Sequence, residues 1–484
     1  MTSLCNMPAH QLREQFAIGA VSAAEIAESC LERSAALKHL GAMVWQEPGE
    51  VRASAEAIDR AKRKGEPLGP LAGLPVAIKD LNDIAGAPTT FGSPLFKDNI
   101  ATADDDVVAN LRAAGAVLFG KTNVPEHGFG ATTTSPLFGP ARNPFDLARS
   151  AGASTGGGAV ALASGMAPLA TGSDFAGSLR TPASFCGLTG LRPSNGVVGT
   201  RRRGMAWSAF DVEGPMARCA ADCKLLLAAM ARGDPGDPLS ASPHERLGKP
   251  ATPVDLGGLR VAVSEDIGFA PVARSVRATF RDKLARFKQL FRELEAATPD
   301  LGAAERTFFA LRGVGFVADF SPMESEFGHL LGPVVLDELK RARALTAEEI
   351  GAAHLEHTRV FRAALDFFED YDVLITPAAS VPPFAHEDDY PAAIDGEPMG
   401  GYLRWEAIAW GITLTQHPAV VIPCGLDPSG LPFGLQIVGP NRQDGYLLDV
   451  AHSLELAFAG DPELARPTPD IDGLLRRATE TTIR

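Results

Sequence analysis

Short apolar runs alternate along this chain with longer stretches of helical periodicity, and this alternation narrows the architecture more than any other feature. Residues 74–78, 116–119, 259–263, 373–375, 419–422 and 435–438 each read as a buried strand. Between them, 105–114, 275–294 and 446–458 carry helical spacing, with Gly115 closing the first. Strands separated by helices imply an α/β fold, a large mixed β-sheet covered by α-helices on both faces. Two helices precede the first strand. Ser22 and Glu25 make a capping box, with Val21 and Ile26 placed as a hydrophobic staple. A second helix covers 51–64 and stops at Gly65-Glu66-Pro67.

Charge and cysteine usage exclude several classes of function. With 45 basic and 59 acidic residues the net charge is −14, the reverse of the surplus a nucleic-acid binder carries. No run of 18 apolar residues is present, so no membrane span is expected. The first residues, MTSLCNMPAHQLREQF, lack the apolar core of a signal peptide. Cys5, Cys30, Cys186, Cys219, Cys223 and Cys424 form no C-x-x-C pair, so a structural zinc is not expected. They read as buried thiols in a reducing cytoplasm. At 484 residues the chain is long enough for about three average domains or one large α/β unit. The stretch 233–257, rich in Pro, Gly, Asp and Ser, reads as a surface loop or linker.

The most unusual segment is 150–192, SAGASTGGGAVALASGMAPLATGSDFAGSLRTPASFCGLTGLR, with many small residues and few bulky or charged ones. Such a backbone either packs a helix tightly on a strand or approaches a substrate with its N–H groups. The phosphate-loop pattern G-x-x-x-x-G-K-[ST] is absent. Residues 152–156, GASTG, satisfy G-x-S-x-G, but DLARS before them is no strand, so a nucleophile elbow is not expected.

Three stretches together resemble the amidase signature family of serine hydrolases: GLPVAIKD at 73–80, GASTGGG at 152–158 and GSDFAGSLR at 172–180. Ser154 and Ser178 lie 24 residues apart, as in that family. GKTN at 120–123, GPMAR at 214–218 and GLPFGLQ at 430–436 also match, so the resemblance runs over roughly residues 10–460. The departures are Ala153 and Ala176 where Gly is usual, Thr155 where a second Ser is common, and His127 where a large apolar residue is usual. A methyl group at Ala176 requires a negative φ there.

The resemblance implies the amidase signature fold and one domain over 1–484. Its parts would be N-terminal helices at 1–65, a catalytic core at 73–220, the loop at 233–257 and the rest of the sheet with its helices at 258–484. It implies a Ser-cisSer-Lys triad. Ser178 is the nucleophile, Ser154 the proton relay after a cis peptide, and Lys79 the general base. The backbone N–H groups of Phe175, Ala176, Gly177 and Ser178 form the oxyanion hole, and Asp174 and Arg180 hold the loop from behind. A serine needs such a base, and a lysine serves only when burial lowers its pKa.

Aromatic and sulfur-bearing candidates for a substrate pocket are Phe129, Met205, Trp207, Phe210, Trp405 and Trp410. The run Thr200-Arg201-Arg202-Arg203-Gly204 could attract an anion or form a solvated loop. His354 and His357 read as part of a surface face and not as metal ligands. The expected activity is hydrolysis of a small apolar or aryl amide, with aryl carbamates (urethanes) and esters open to the same acyl-serine chemistry. The tRNA-dependent amidotransferase component that shares these motifs and an inactive scaffold are the remaining alternatives. The expected partner is a small-molecule substrate, with no nucleic acid, membrane, metal or cofactor, in a monomer or homodimer.

Overall fold

Residues 75–79, PVAIK, are buried at every position, although successive side chains in a strand point to opposite faces. Such a strand must be covered on both sides. The same holds for 169–174, 373–377 and 432–438, and the helices supply that cover. The computed structural model describes residues 4–201, 203–241 and 245–482.

The strands, in chain order, are β1 (Met43–Trp45), β2 (Pro75–Lys79), β3 (Val117–Thr122), β4 (Thr134–Ser135), β5 (Gly139–Pro140), β6 (Leu169–Asp174), β7 (Thr189–Arg192) and β8 (Val212–Ala217). They continue with β9 (Arg260–Val263), β10 (Glu293–Ala296), β11 (Val373–Pro377), β12 (Ala393–Ile394), β13 (Glu397–Pro398), β14 (Ala419–Leu426) and β15 (Pro432–Val438). Among the described residues eleven of these make one mixed sheet, in the order β1-β3-β2-β6-β8-β7-β14-β15-β11-β9-β10. Parallel pairs join β3, β2 and β6 at one end and β11, β9 and β10 at the other; antiparallel pairs fill the middle.

The expected elements stand within a few residues of their sequence positions. The capping box at Ser22 and Glu25 opens the helix Ala23–Ala36. The second N-terminal helix spans Pro48–Arg63, and the helix before Gly115 spans Asp106–Ala113. The stretch 275–294 is corrected: its helix ends at Phe287, and Glu293–Ala296 turns into an edge strand parallel to β9. Of 233–257, only the short 3-10 turns Glu245–Gly248 and Leu256–Gly258 are regular, and part of it lies outside the described residues. None of the described helices is long and apolar enough to cross a membrane.

The small-residue segment builds the centre of the sheet. Gly156–Ala163 is a fully buried helix lying on β6, β2 and β3. Its approach is close enough that a Cβ on Gly157 would meet the backbone N of Asn123 at 2.3 Å. The long helix Ala304–Phe327 packs against Pro333–Ala342 and Ala347–Asp370. Phe316, Phe320, Leu331, Val335 and Leu339 form a second apolar core there, with Phe129 packed on it.

Candidate active site

Two lysines are buried in the parallel end of the sheet, and their surroundings differ. Lys121 ends neutralised: its Nζ donates to Asp80 Oδ1 at 2.9 Å, to Thr89 Oγ1 at 2.9 Å and to the Pro88 carbonyl at 3.1 Å. Lys79, at the end of β2 and 0% exposed, meets only hydroxyls. Its Nζ donates to Ser154 Oγ at 2.8 Å and to Ser173 Oγ at 2.9 Å. Burial lowers the Lys79 pKa to about 8, although the negative charges of Glu213, Asp211 and Asp174 oppose this. A tenth or so of such lysines are neutral at pH 7.

Ser154 follows a cis Ala153–Ser154 peptide and immediately precedes the buried helix Gly156–Ala163. Ser178 lies in the tight turn between β6 and the helix Arg180–Phe185. The two loops are tied together by the Thr155 N–H, which donates to the Ser178 carbonyl at 3.2 Å. Ser154, Ser173 and Ser178 open onto one cavity of about 520 Å³.

The turn that carries Ser178 is anchored by charge. The Asp174 carboxylate accepts from the N–H groups of Gly177 at 3.1 Å and Leu179 at 3.2 Å, and from Arg180 Nε at 3.0 Å and Nη2 at 2.8 Å. Burial alone would raise the Asp174 pKa, but the charges of Arg180 and Arg192 hold it well below the usual carboxylate range. Arg180 also reaches the later half of the chain, donating from Nη1 to the Ala409 carbonyl at 2.6 Å and Gln436 Oε1 at 2.7 Å, and from Nη2 to Thr413 Oγ1 at 3.0 Å. Ala176 does not have a positive φ, so its methyl group is accommodated; Gly177, at φ +132°, takes the conformation that needs glycine.

An amine short of its proton, bonded to one serine and sharing a cavity with another, can draw a proton from a hydroxyl that attacks a carbonyl. A family model described as Amidase matches residues 25–448. The chain belongs to the amidase family, the amidase signature enzymes. This amidase is 34% identical over 453 residues to an acylamidase of Rhodococcus erythropolis, covering 93% of this chain and 95% of that one. It is 33% identical to a glutamyl-tRNA(Gln) amidotransferase component of Ralstonia nicotianae, covering 92% and 96%. Among solved structures, that of a bacterial aryl acylamidase superposes with a TM-score of 0.87 at 26% identity, covering 94% of this chain and 96% of that one. The protein is therefore an amide hydrolase of the mixed-sheet α/β fold.

The sequence-derived pocket residues divide. Phe129 and Met205 line the amidase's cavity. Trp207 does not: its side chain stands in solvent, 78% exposed. Phe210 is buried one layer behind the wall, edge-on to Phe175 and stacked on Phe308. Trp405 and Trp410 are core residues. Trp410 stacks on Phe308 with ring centroids 4.7 Å apart and donates its indole N–H to the Leu403 carbonyl, and Trp405 packs between Phe185 and Phe384. Large aromatic rings stabilise cores as readily as they line pockets, which is why residue type alone misplaces Phe210, Trp405 and Trp410. Of the four expected oxyanion donors, Phe175, Ala176, Gly177 and Ser178, Gly177 already donates its N–H to Asp174 Oδ1 at 3.1 Å.

His127, the departure from the family pattern, lines the cavity between Phe91, Phe96 and Phe320. Burial pushes its pKa down to about 4, so it serves as a neutral aromatic wall. The arginine run is not one solvated loop. Arg201 grips Asp234 at the surface, whereas the half-buried Arg203 faces the cavity, 4.0 Å from Asp237; Arg202 lies outside the described residues. His354 is exposed as expected, but His357 turns inward onto Phe210. His10, Cys219 and Asp222 bring one ligand atom each within 4.8 Å of one another, away from the cavity, where Asp222 caps the helix Ala9–Ile18. Sequence reasoning assigned no role to Ser173, Glu213, Arg312, Phe316, Asp319 or Phe320, all on the cavity wall. Only Ser173, inside the 172–180 motif, carried a local signal.

Proposed function

We propose that this amidase cleaves small aryl or apolar amides through an acyl-serine intermediate, with Ser178 as nucleophile, Ser154 as proton relay and Lys79 as general base. The single observation that carries the reading is the buried Lys79 amine hydrogen-bonded to Ser154 Oγ at the floor of the cavity that Ser178 also lines. Ser178 Oγ attacks the amide carbonyl as its proton passes to Ser154 and the Ser154 proton passes to Lys79. The N–H groups of Phe175, Ala176 and Ser178 hold the oxyanion, an interaction whose loss costs ~10²–10³ in rate per donor. The proton returns through Ser154 to the departing amine, and water then releases the acid. Aryl carbamates and esters present the same carbonyl to the same serine. The similarity to acylamidases supports the amide as substrate.

The test is labelling with a fluorophosphonate followed by peptide mapping, with hydrolysis of an anilide measured beside it. Label on Ser178, and loss of label and turnover in Ser178→Ala, are expected. Folded protein that hydrolyses the anilide with Ser178 unlabelled overturns the reading. Ammonia release from glutamine only after addition of partner proteins would favour the amidotransferase role of the Ralstonia relative.

A further inference from the structure

Three acidic side chains on the cavity wall, Asp211, Glu213 and Asp319, take no direct part in the proton transfers proposed above. Among the described residues, no Lys, Arg or His nitrogen lies within 4.0 Å of any of these three carboxylates. The two arginines among the described lining residues are engaged elsewhere. Arg312 pairs with Glu338, donates to Tyr402 and stacks on Phe316, 4.2 Å from the ring centre. Arg203 faces Asp237 and donates to the Ser208 carbonyl at 3.2 Å.

A second observation is independent of that count. Glu213 Oε1 accepts the Asn82 amide at 3.1 Å, but Oε2, shut away from solvent, has no hydrogen-bond partner. Buried polar atoms are nearly always bonded, so an orphaned acceptor on a cavity wall calls for a donor from a ligand. The position is close to the chemistry. Glu213 is the cross-strand partner of Ser173, whose hydroxyl receives Lys79, and Asp211, just ahead of this strand, lines the same cavity. Asp319, from the helix Ala304–Phe327, closes the cavity from the other side, with its Oδ1 3.1 Å from where a Cβ on Gly204 would stand.

We propose that the amide this enzyme takes carries a positively charged nitrogen, a protonated amine or amidinium, seated against Asp211, Glu213 and Asp319. The proposal rests on the acyl-serine reading above and adds the substrate class. Burial and the neighbouring Asp211 raise the pKa values of Glu213 and Asp319, an effect Lys79 only partly offsets at Glu213, and a bound cation would relieve both.

Three substrates of similar size test it at pH 7: hexanoyl 4-ethylanilide, 5-aminopentanoyl 4-ethylanilide and hexanoyl 4-(aminomethyl)anilide, with the released aniline measured by chromatography. One of the two charged amides should exceed the neutral one in kcat/KM by at least about tenfold, and the preference should shrink with added salt. Asp211→Asn and Asp319→Asn should each cut that preference at least about threefold. A neutral anilide hydrolysed as well as both charged ones, or a preference unchanged in both variants, overturns the inference while leaving the acyl-serine reading intact. No hydrolysis of any of the three, with Ser178 unlabelled by fluorophosphonate, would overturn both.

Discussion

Replacing Lys79 with Met separates what the buried amine does for chemistry from what it costs the fold. A lysine with the ordinary pKa of 10.5 has roughly one neutral amine in 3,000 at pH 7, whereas one lowered to about 8 has roughly one in ten. Burial thus enriches the base about 300-fold, equivalent to ~3 kcal/mol. The same amount works against folding. Because the folded pKa lies below the unfolded one, the contribution of this group to stability is complete only above pH 10.5 and is lost as pH falls through about 8. Lys79→Met removes this ~3 kcal/mol cost at pH 7 and forfeits two hydrogen bonds worth about 1 kcal/mol each. The variant should be inactive and yet about 1 kcal/mol more stable, as read by urea denaturation. In the unsubstituted enzyme, log kcat/KM for an anilide should rise with a slope near one below about pH 7.5 and level off above about 8.5. A variant destabilised by more than about 2 kcal/mol, or a profile flat from pH 6 to 9, would refute the argument.

Removing the Glu213 charge, which raises the proton affinity of Lys79, should move the midpoint of that profile towards acid in Glu213→Gln; a shift towards alkali would contradict the assignment. Asp174→Asn leaves Arg180 and Arg192 with an uncompensated buried charge and should cost about 3–5 kcal/mol by urea denaturation. Trp207→Ala, at a solvent-exposed ring, should change stability by less than about 0.5 kcal/mol and leave kcat/KM unaltered. Gly157→Ala drives a methyl group into the Asn123 backbone and should cost at least about 1–3 kcal/mol, with loss of activity as the Ser154 loop shifts.

What was legible in the sequence was local. Lys79, Ser154 and Ser178 each sit in a short string whose residue types are set by backbone constraints within a few positions, so the strings could be read without a fold. Strands made of Val, Ile and Leu were visible for the same reason. Strand β6, LATGSD, was not, because the starts of the helices Gly156–Ala163 and Arg180–Phe185 crowd it so that small residues replace the usual branched ones; a Cβ on Gly172 would come within 2.5 Å of Leu179 and 2.7 Å of Thr155. Edge strand β10 was hidden by its exposure, which left its residues no apolar alternation and made them look like the tail of the preceding helix. Glu213, Arg312 and Asp319 were beyond reach because tertiary packing, not sequence spacing, brings β8 and a helix more than 90 residues later to one cavity. Trp405 and Trp410 were misassigned because their chemistry suits an interior and a binding wall equally well.

The contacts of Arg180 also bear on how the enzyme is made. Lys79, Ser154 and Ser178 have all left the ribosome while Ala409, Thr413 and Gln436 are still untranslated, and these three receive Arg180 at 2.6–3.0 Å. Until they arrive, a guanidinium meant for a dry interior has only Asp174 to hold it, and the turn bearing Ser178 has no floor. A chain that ends before Ala409 therefore lacks three of the four residues that hold Arg180, and with them the far side of the support beneath this turn.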